Sequence, residues 1–229
     1  MKILKNITVF TMVMLLSVST VLEAREKNIS NFSSSASNLV DSTGTFDGNK
    51  IYADVANNGL FLDYHVSGDS ALEWPKGTGV HSIFQSALWM GATVNGSIRT
   101  IVGDYTQDMG PGPWGGDPLA AVHRIYKVEK SMLASPLDFA DFQEWPVEFG
   151  APWVDVDGDG VYTPLPGGTD HPEFLGDQVL WFVSNDGDPA YKLNFGTSPM
   201  NVEIQTTMFG FDRPDVFGDM VFLLSLIHI

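Results

Sequence analysis

Cysteine is absent from this 229-residue chain, basic residues are scarce, and no apolar run reaches the length of a membrane-spanning helix. Without cysteine there is no disulfide framework, no thiolate metal site and no lipid anchor attached through an N-terminal cysteine. Twelve Lys and Arg stand against 28 Asp and Glu, a formal charge of −16. That balance argues against nucleic acid and anionic membrane surfaces as partners, because both are held by cationic side chains. The longest apolar stretch, Ile7 to Val21, is shorter than the roughly 20 residues a bilayer span requires, and Ser17, Ser19 and Thr20 dilute it. The five histidines, at 65, 81, 123, 171 and 228, show no zinc spacing, and no serine lies in a nucleophile-elbow pattern.

What is present at the N-terminus reads as an export signal over residues 1–24. Lys2 and Lys5 precede the apolar stretch, and Leu22-Glu23-Ala24 ends it with a small residue at the expected cleavage point. Cleavage there leaves 10 basic and 27 acidic residues, a charge of −17, and no inserted segment. The expected location is secreted or on the outer cell surface. Residues 25–47 form a polar, serine-rich leader that reads as flexible, with order beginning near Gly48. An extracellular domain without disulfides must hold its loops by other means, and a bound metal is one.

Residues 48–223 alternate short apolar runs with Gly, Pro, Asn and Asp, a strand-and-turn rhythm. The runs are Lys50 to Ala56, Gly59 to Tyr64, Ser82 to Val94, Ser97 to Tyr105, Val122 to Lys130, Gln178 to Ser184, Val202 to Phe209 and Asp215 to Leu223. The fold class expected is all-β, mainly antiparallel and β-sandwich-like, with one short helix and long loops. Asn95-Gly96 between two alternating runs predicts a two-residue hairpin, since both central positions need positive φ. The helix is expected after Ser135 as cap and Pro136 at its first position, with Leu137, Phe139, Ala140 and Phe142 as its apolar face and Pro146 ending it. The terminal Leu224-Ser225-Leu226-Ile227-His228-Ile229 is what CTG TCT CTT ATA CAC ATC would encode, a string like a transposon-end sequencing adapter. Residues 224–229 therefore read as adapter translation on a shortened chain, with an ordinary apolar terminal strand as the alternative.

The strongest chemical signal is Asp155-Val156-Asp157-Gly158-Asp159-Gly160-Val161-Tyr162. Carboxylates at alternate positions can be aimed at one point by a tight turn, and glycine at the sixth position permits the bend that brings the Val161 carbonyl in as a further oxygen. An all-oxygen donor set in an acidic, cysteine-free chain suits calcium. The bidentate glutamate of an EF-hand is missing, since Pro166 stands at the twelfth position. The remaining carboxylate is expected from Asp170, Glu173 or Asp177, with Asp177 preferred because it directly precedes a strand. The expected metal ligands are thus Asp155, Asp157, Asp159, Val161, Asp170 and Asp177. The alternative is a solvated acidic turn without metal. A second acidic stretch, Asn185-Asp186-Gly187-Asp188, reads as a turn, or as a contributor to the same or another metal site.

Tryptophans at 74, 89, 114, 145, 153 and 181 admit two readings, core anchors or an exposed platform for sugar rings. Asp104, Asp108, Glu144 and Glu148 supply carboxylates for glycoside hydrolysis only in principle, because nothing in their spacing picks out an acid and a nucleophile. No catalytic residue is identified.

The ordered motifs Glu73-Trp74-Pro75-Lys76-Gly77-Thr78-Gly79, Ile83-Phe84-Gln85-Ser86-Ala87-Leu88-Trp89-Met90-Gly91, Gly110-Pro111-Gly112-Pro113-Trp114, Asp157-Gly158-Asp159-Gly160 and Gly176-Asp177-Gln178 resemble one group of proteins. These are large secreted multidomain proteins of Bacteroidetes and related phyla that carry a C-terminal sorting domain for type IX secretion. The resemblance runs from about Asn49 to Phe222, and the sorting domain has no counterpart in the chain. It implies an outer-surface or released product with downstream domains of the same polypeptide. The function expected is a calcium-stabilised structural or adhesion-type module whose partners are glycans or other surface proteins. The alternative is a carbohydrate-active protein, either a glycan-binding module or part of a polysaccharide-degrading enzyme.

Overall fold

A computed structural model describes residues 43–63, 68, 70–104, 106–165 and 170–229. The signal-peptide segment and the leader up to residue 42 lie outside the described residues. No helix among those described is long and apolar enough to cross a membrane.

Chain order begins with β1 (Thr43–Phe46), which pairs antiparallel with β2 (Tyr52–Ala56). The structure is thus already ordered over Thr43–Phe46, ahead of Gly48 where order was expected to begin. The reason is Phe46, an aromatic side chain with no solvent exposure that anchors the end of the polar leader in the core. A short strand, β3 (Leu60–Leu62), follows, and β4 (Leu72–Glu73) and β5 (His81–Ile83) extend the first sheet in the order β1-β2-β4-β5. β6 (Ser86–Ala87) pairs with β3. β7 (Trp89–Val94) and β8 (Ser97–Val102) form the hairpin expected at Asn95-Gly96, where both residues have positive φ, 52° and 79°. Ser82 to Val94 is thus three strands and not one, broken at Phe84-Gln85 and at Leu88.

The central sheet is built on β13 (Gln178–Asn185), every residue of which is buried. Its partners are β14 (Glu203–Gly210) along one edge and, along the other, β10 (Tyr126–Glu129) and β9 (Gly110–Pro111). β15 (Phe222–His228) is the outermost strand, paired to β14 from Phe209↔Phe222 to Glu203↔His228. The suspected adapter residues 224–229 lie mostly within this strand, and their side chains are exposed.

Alternation sorts the side chains of β13 onto two faces. Leu180 and Phe182, with Met208 of β14, meet Phe46, Ala53, Val55 and Leu72 of the first sheet in one core. Val179, Trp181 and Val183 face a second core closed by Tyr126, Val128, Phe142, Trp145 and Ala151. The architecture is all-β and antiparallel, with two sheets packed face to face and a loop-rich layer behind the second. A third, smaller core gathers Ile101, Met109, Met200, Val202 and Ile204 beneath the β7–β8 hairpin.

Residues Ser135 to Gln143 depart from the expected helix. Pro136–Asp138 is a single 3-10 turn, Phe139 is extended, and only α1 (Ala140–Gln143) is α-helical. Ser135 makes no side-chain cap. Phe142 is the one buried side chain of α1, so an apolar face that should have run from Leu137 supplies a single anchor. Asp215 to Leu223 likewise begins as a 3-10 turn, Val216–Asp219, because the Asp215 carboxylate accepts the Phe217 N–H at 3.1 Å and caps it.

Candidate metal centre

β11 (Trp153–Val154) and β12 (His171–Pro172) form a two-residue antiparallel ladder, Trp153↔Pro172 and Val154↔His171. Continuing that register by one pair places Asp155 opposite Asp170, so the acidic loop is closed at its neck by two carboxylates. The ladder is fixed from behind: Trp153 and Tyr162 pack edge to face at 5.6 Å, and the Tyr162 hydroxyl donates to the Phe142 carbonyl at 2.6 Å. Burial and the neighbouring Asp170 carboxylate push the Tyr162 phenol well up, which keeps it a neutral donor.

Within the loop, carboxylates organise the backbone. Asp155 accepts the N–H groups of Gly158 and Gly160 at 2.6 and 2.9 Å, Asp157 that of Asp159 at 3.2 Å, and Asp159 that of Val161 at 2.7 Å. Gly158 and Gly160 have φ of 78° and 77°, a region that side chains with a Cβ rarely adopt, so the coil depends on glycine at both places. Asp170 is 1% exposed, and its two oxygens accept from Val156 and Thr163 at 2.9 and 2.7 Å.

The result is that Asp155, Asp157, Asp159 and Asp170 each present a carboxylate oxygen within 4.8 Å of the others. This is the one group of three or more acidic or histidine side chains so gathered among the described residues. Two unit charges at that separation repel by about 1 kcal/mol in water and about 3 to 4 kcal/mol at an effective dielectric of 20. Four of them make a locus that a cation relieves. The donor set fits a metal ion that takes oxygen, because it is carboxylate throughout and three of its four members remain open to solvent.

Asp177 does not join this group. Its carboxylate accepts the Asp212 N–H at 2.9 Å and ties the entry of β13 to the exit of β14. The Val161 carbonyl accepts the Thr163 hydroxyl at 3.4 Å.

The second acidic stretch is a different device. Asp186 is fully buried and accepts the N–H groups of Met200 and Val202 at 2.7 and 2.9 Å. Lys192, whose ammonium is buried with it, reaches Asp108 at 3.0 Å and Asp186 at 3.7 Å. Asp108, considered from sequence as a hydrolytic carboxylate, is thereby committed to an internal ion network that also holds the N–H groups of Val102 and Asn194. No local pattern marks Asp108 and Lys192 as partners, since they are 84 residues apart. Glu144 is held by Arg124 at 2.8 Å. Of the tryptophans, Trp145 and Trp181 are buried, Trp153 is half-buried, and Trp74, Trp89 and Trp114 are exposed. Compared with protein-family models, with curated proteins and with solved structures, the chain matches none.

Proposed function

We propose that this chain is an exported extracellular or cell-surface module of structural or adhesion type, stabilised by calcium in the loop from Asp155 to Asp170. The observation that carries the reading is the convergence of four carboxylates on one point, one of them buried at the neck of the loop. Bound there, calcium would supply the positive charge that lets the loop close on itself. Asp155, Asp157, Asp159 and Asp170 would hold it, and Gly158 and Gly160 supply the turns that aim them. The signal-like N-terminus, the lack of cysteine and the resemblance to large secreted proteins of Bacteroidetes support export and a surface location. On this reading the partners are surface glycans or proteins and downstream domains of the same polypeptide.

Thermal melts with calcium, magnesium and chelator test the proposal. At calcium 100-fold above its dissociation constant the folded state gains about 2.7 kcal/mol, which for a domain of this size raises Tm by about 5 to 10 °C. Magnesium gives a much smaller rise, because it demands near-octahedral geometry and releases water reluctantly. Superimposable curves in calcium and chelator would sink the calcium reading.

A further inference from the structure

Gly110-Pro111-Gly112-Pro113-Trp114 has no part in the metal centre, yet it is tied to the central sheet by backbone and side-chain hydrogen bonds. β9 fixes its start against Ser184 and Asn185 of β13. The Asn185 amide then donates to the carbonyls of Gly112 and Pro113 at 2.9 and 3.2 Å, while its carbonyl accepts the Gly187 N–H at 3.0 Å. Trp114 itself is anchored by its backbone N–H on Glu203, at 2.9 Å. Its indole lies directly over Gly187, where an added Cβ would sit 2.5 Å from Cδ1. Despite this fixation Trp114 is 60% exposed. Trp114 is therefore not a core anchor: its backbone is pinned to Glu203 and its indole lies at the surface against Gly187.

Beside the indole is a cavity of about 250 Å³ lined also by Gly110, Asn185, Gly187, Asp188 and Tyr191. Tyr191 is 6% exposed, with its ring against Gly110. Burial and the carboxylates of Asp188 and Asp117 push that phenol up, so it remains protonated and able to donate. Asp188, an exposed residue, accepts the Ala190 N–H on Oδ1 at 2.8 Å. The lining thus offers one flat apolar face, one phenol and one carboxylate, with no basic side chain.

We propose that this pocket binds the pyranose ring of a neutral sugar, such as the terminal hexose of a surface glycan. The C–H face of the ring stacks on Trp114, and its hydroxyls pair with Asp188 and Tyr191. The volume lies below the roughly 300 to 1,000 Å³ of sites for larger ligands, which matches one ring and not an extended chain. Phosphorylated and nucleotide ligands are disfavoured by the absence of a cation. A quaternary ammonium group is the closest competitor, but it wants aromatic faces on several sides. Here only Trp114 exposes a face, because Tyr191 is packed down on Gly110. The pocket shares no residue with the loop at 155–170, so it stands apart from the calcium reading.

Titration of the full chain in calcium, followed in ¹H–¹⁵N spectra, tests the assignment. The probes are methyl α-D-glucopyranoside, methyl α-D-mannopyranoside, methyl β-D-galactopyranoside and N-acetyl-D-glucosamine, with choline chloride as the competing class. At least one sugar should shift the Trp114 indole N–H and the Gly187 amide saturably, with Kd on the order of 1–10 mM for a single small ring. Trp114→Ala and Asp188→Asn should each weaken binding at least about tenfold. Trp114→Tyr should retain part of it, and Gly187→Ala should weaken it by displacing the indole. Trp89→Ala, at an exposed tryptophan outside the pocket, should leave it unchanged. The proposal is overturned if no sugar moves these resonances, if choline alone does, or if binding survives Trp114→Ala.

Discussion

Asp170 and Asp157 are both carboxylates of the same cluster, yet the fold asks different things of them. Asp170 is buried and accepts two backbone N–H groups, whereas Asp157 is exposed and accepts one, at 3.2 Å. In Asp170→Asn one of the two N–H groups faces an amide NH₂ in place of an oxygen. An unmet buried donor costs about 1–3 kcal/mol, so this variant should be destabilised even in chelator. Asp157→Asn keeps an acceptor for the Asp159 N–H, so it should melt within about 0.5 kcal/mol of the parent in chelator and lose most of the calcium response. Melts of both variants, with and without calcium, separate the roles; equal behaviour in chelator would mean that Asp170 is not a structural closure. The spacing of Asp155, Asp157 and Asp159 was legible because it is local. The fourth carboxylate was legible only as one of Asp170, Glu173 and Asp177, with Asp177 preferred. Preferring Asp177 rested on its position before a strand, while Asp170 is placed by the Trp153↔Pro172 register, a pairing that depends on tertiary packing.

At the scale of elements, one polar knot joins the leader strand to the central sheet. The Asp47 carboxylate accepts from Lys127 of β10 and from Gln178 of β13, while its N–H donates to Gln178 Oε1 at 2.9 Å. Burial alone would raise the Asp47 pKa, but the Lys127 and Gln178 contacts outweigh it and hold the carboxyl below its usual value. A depressed carboxylate contributes stability above its unfolded pKa of about 3.9, and that contribution disappears as pH falls through the lower folded value. Asp47→Asn should therefore lower Tm at pH 7, and the gap should shrink as pH falls below about 3.9 and the Asp47 carboxyl takes up its proton. A gap in Tm that persists unchanged into acid would show that the knot works by shape and not by charge. Composition alone puts this element in the flexible leader, because Thr43–Phe46 is short and only Phe46 is large and apolar. The Asn95-Gly96 hairpin, by contrast, follows from two adjacent residues that tolerate positive φ. The helix expected from Ser135 failed for the opposite reason: local signals for capping and a proline start were present, but Phe142 was drawn into the core beside Trp145 and the turn broke at Phe139.

For the molecule as a whole, net charge and edge strands pull in opposite directions. A charge of −16 keeps copies apart, but that repulsion fades over about 8 Å at physiological ionic strength. β15 lies at the end of the central sheet with Leu223, Leu224, Leu226 and Ile227 all more than 40% exposed. Such an edge offers unpaired backbone groups and apolar side chains together, and it carries no lysine or proline to block pairing. Sedimentation at rising protein concentration should reveal reversible self-association that strengthens with salt, because screening removes the repulsion and leaves the apolar contact. Association through ion pairs would weaken with salt, so the sign identifies the cause. Leu224 and Leu226 fall on one face of the strand, and as exposed positions they should accept lysine at a cost within about 0.5 kcal/mol. The Leu224→Lys/Leu226→Lys variant should therefore keep the parent's Tm and stay monomeric at every salt concentration. A parent chain that is monomeric in high salt, or a double variant that still associates, would place the contact elsewhere.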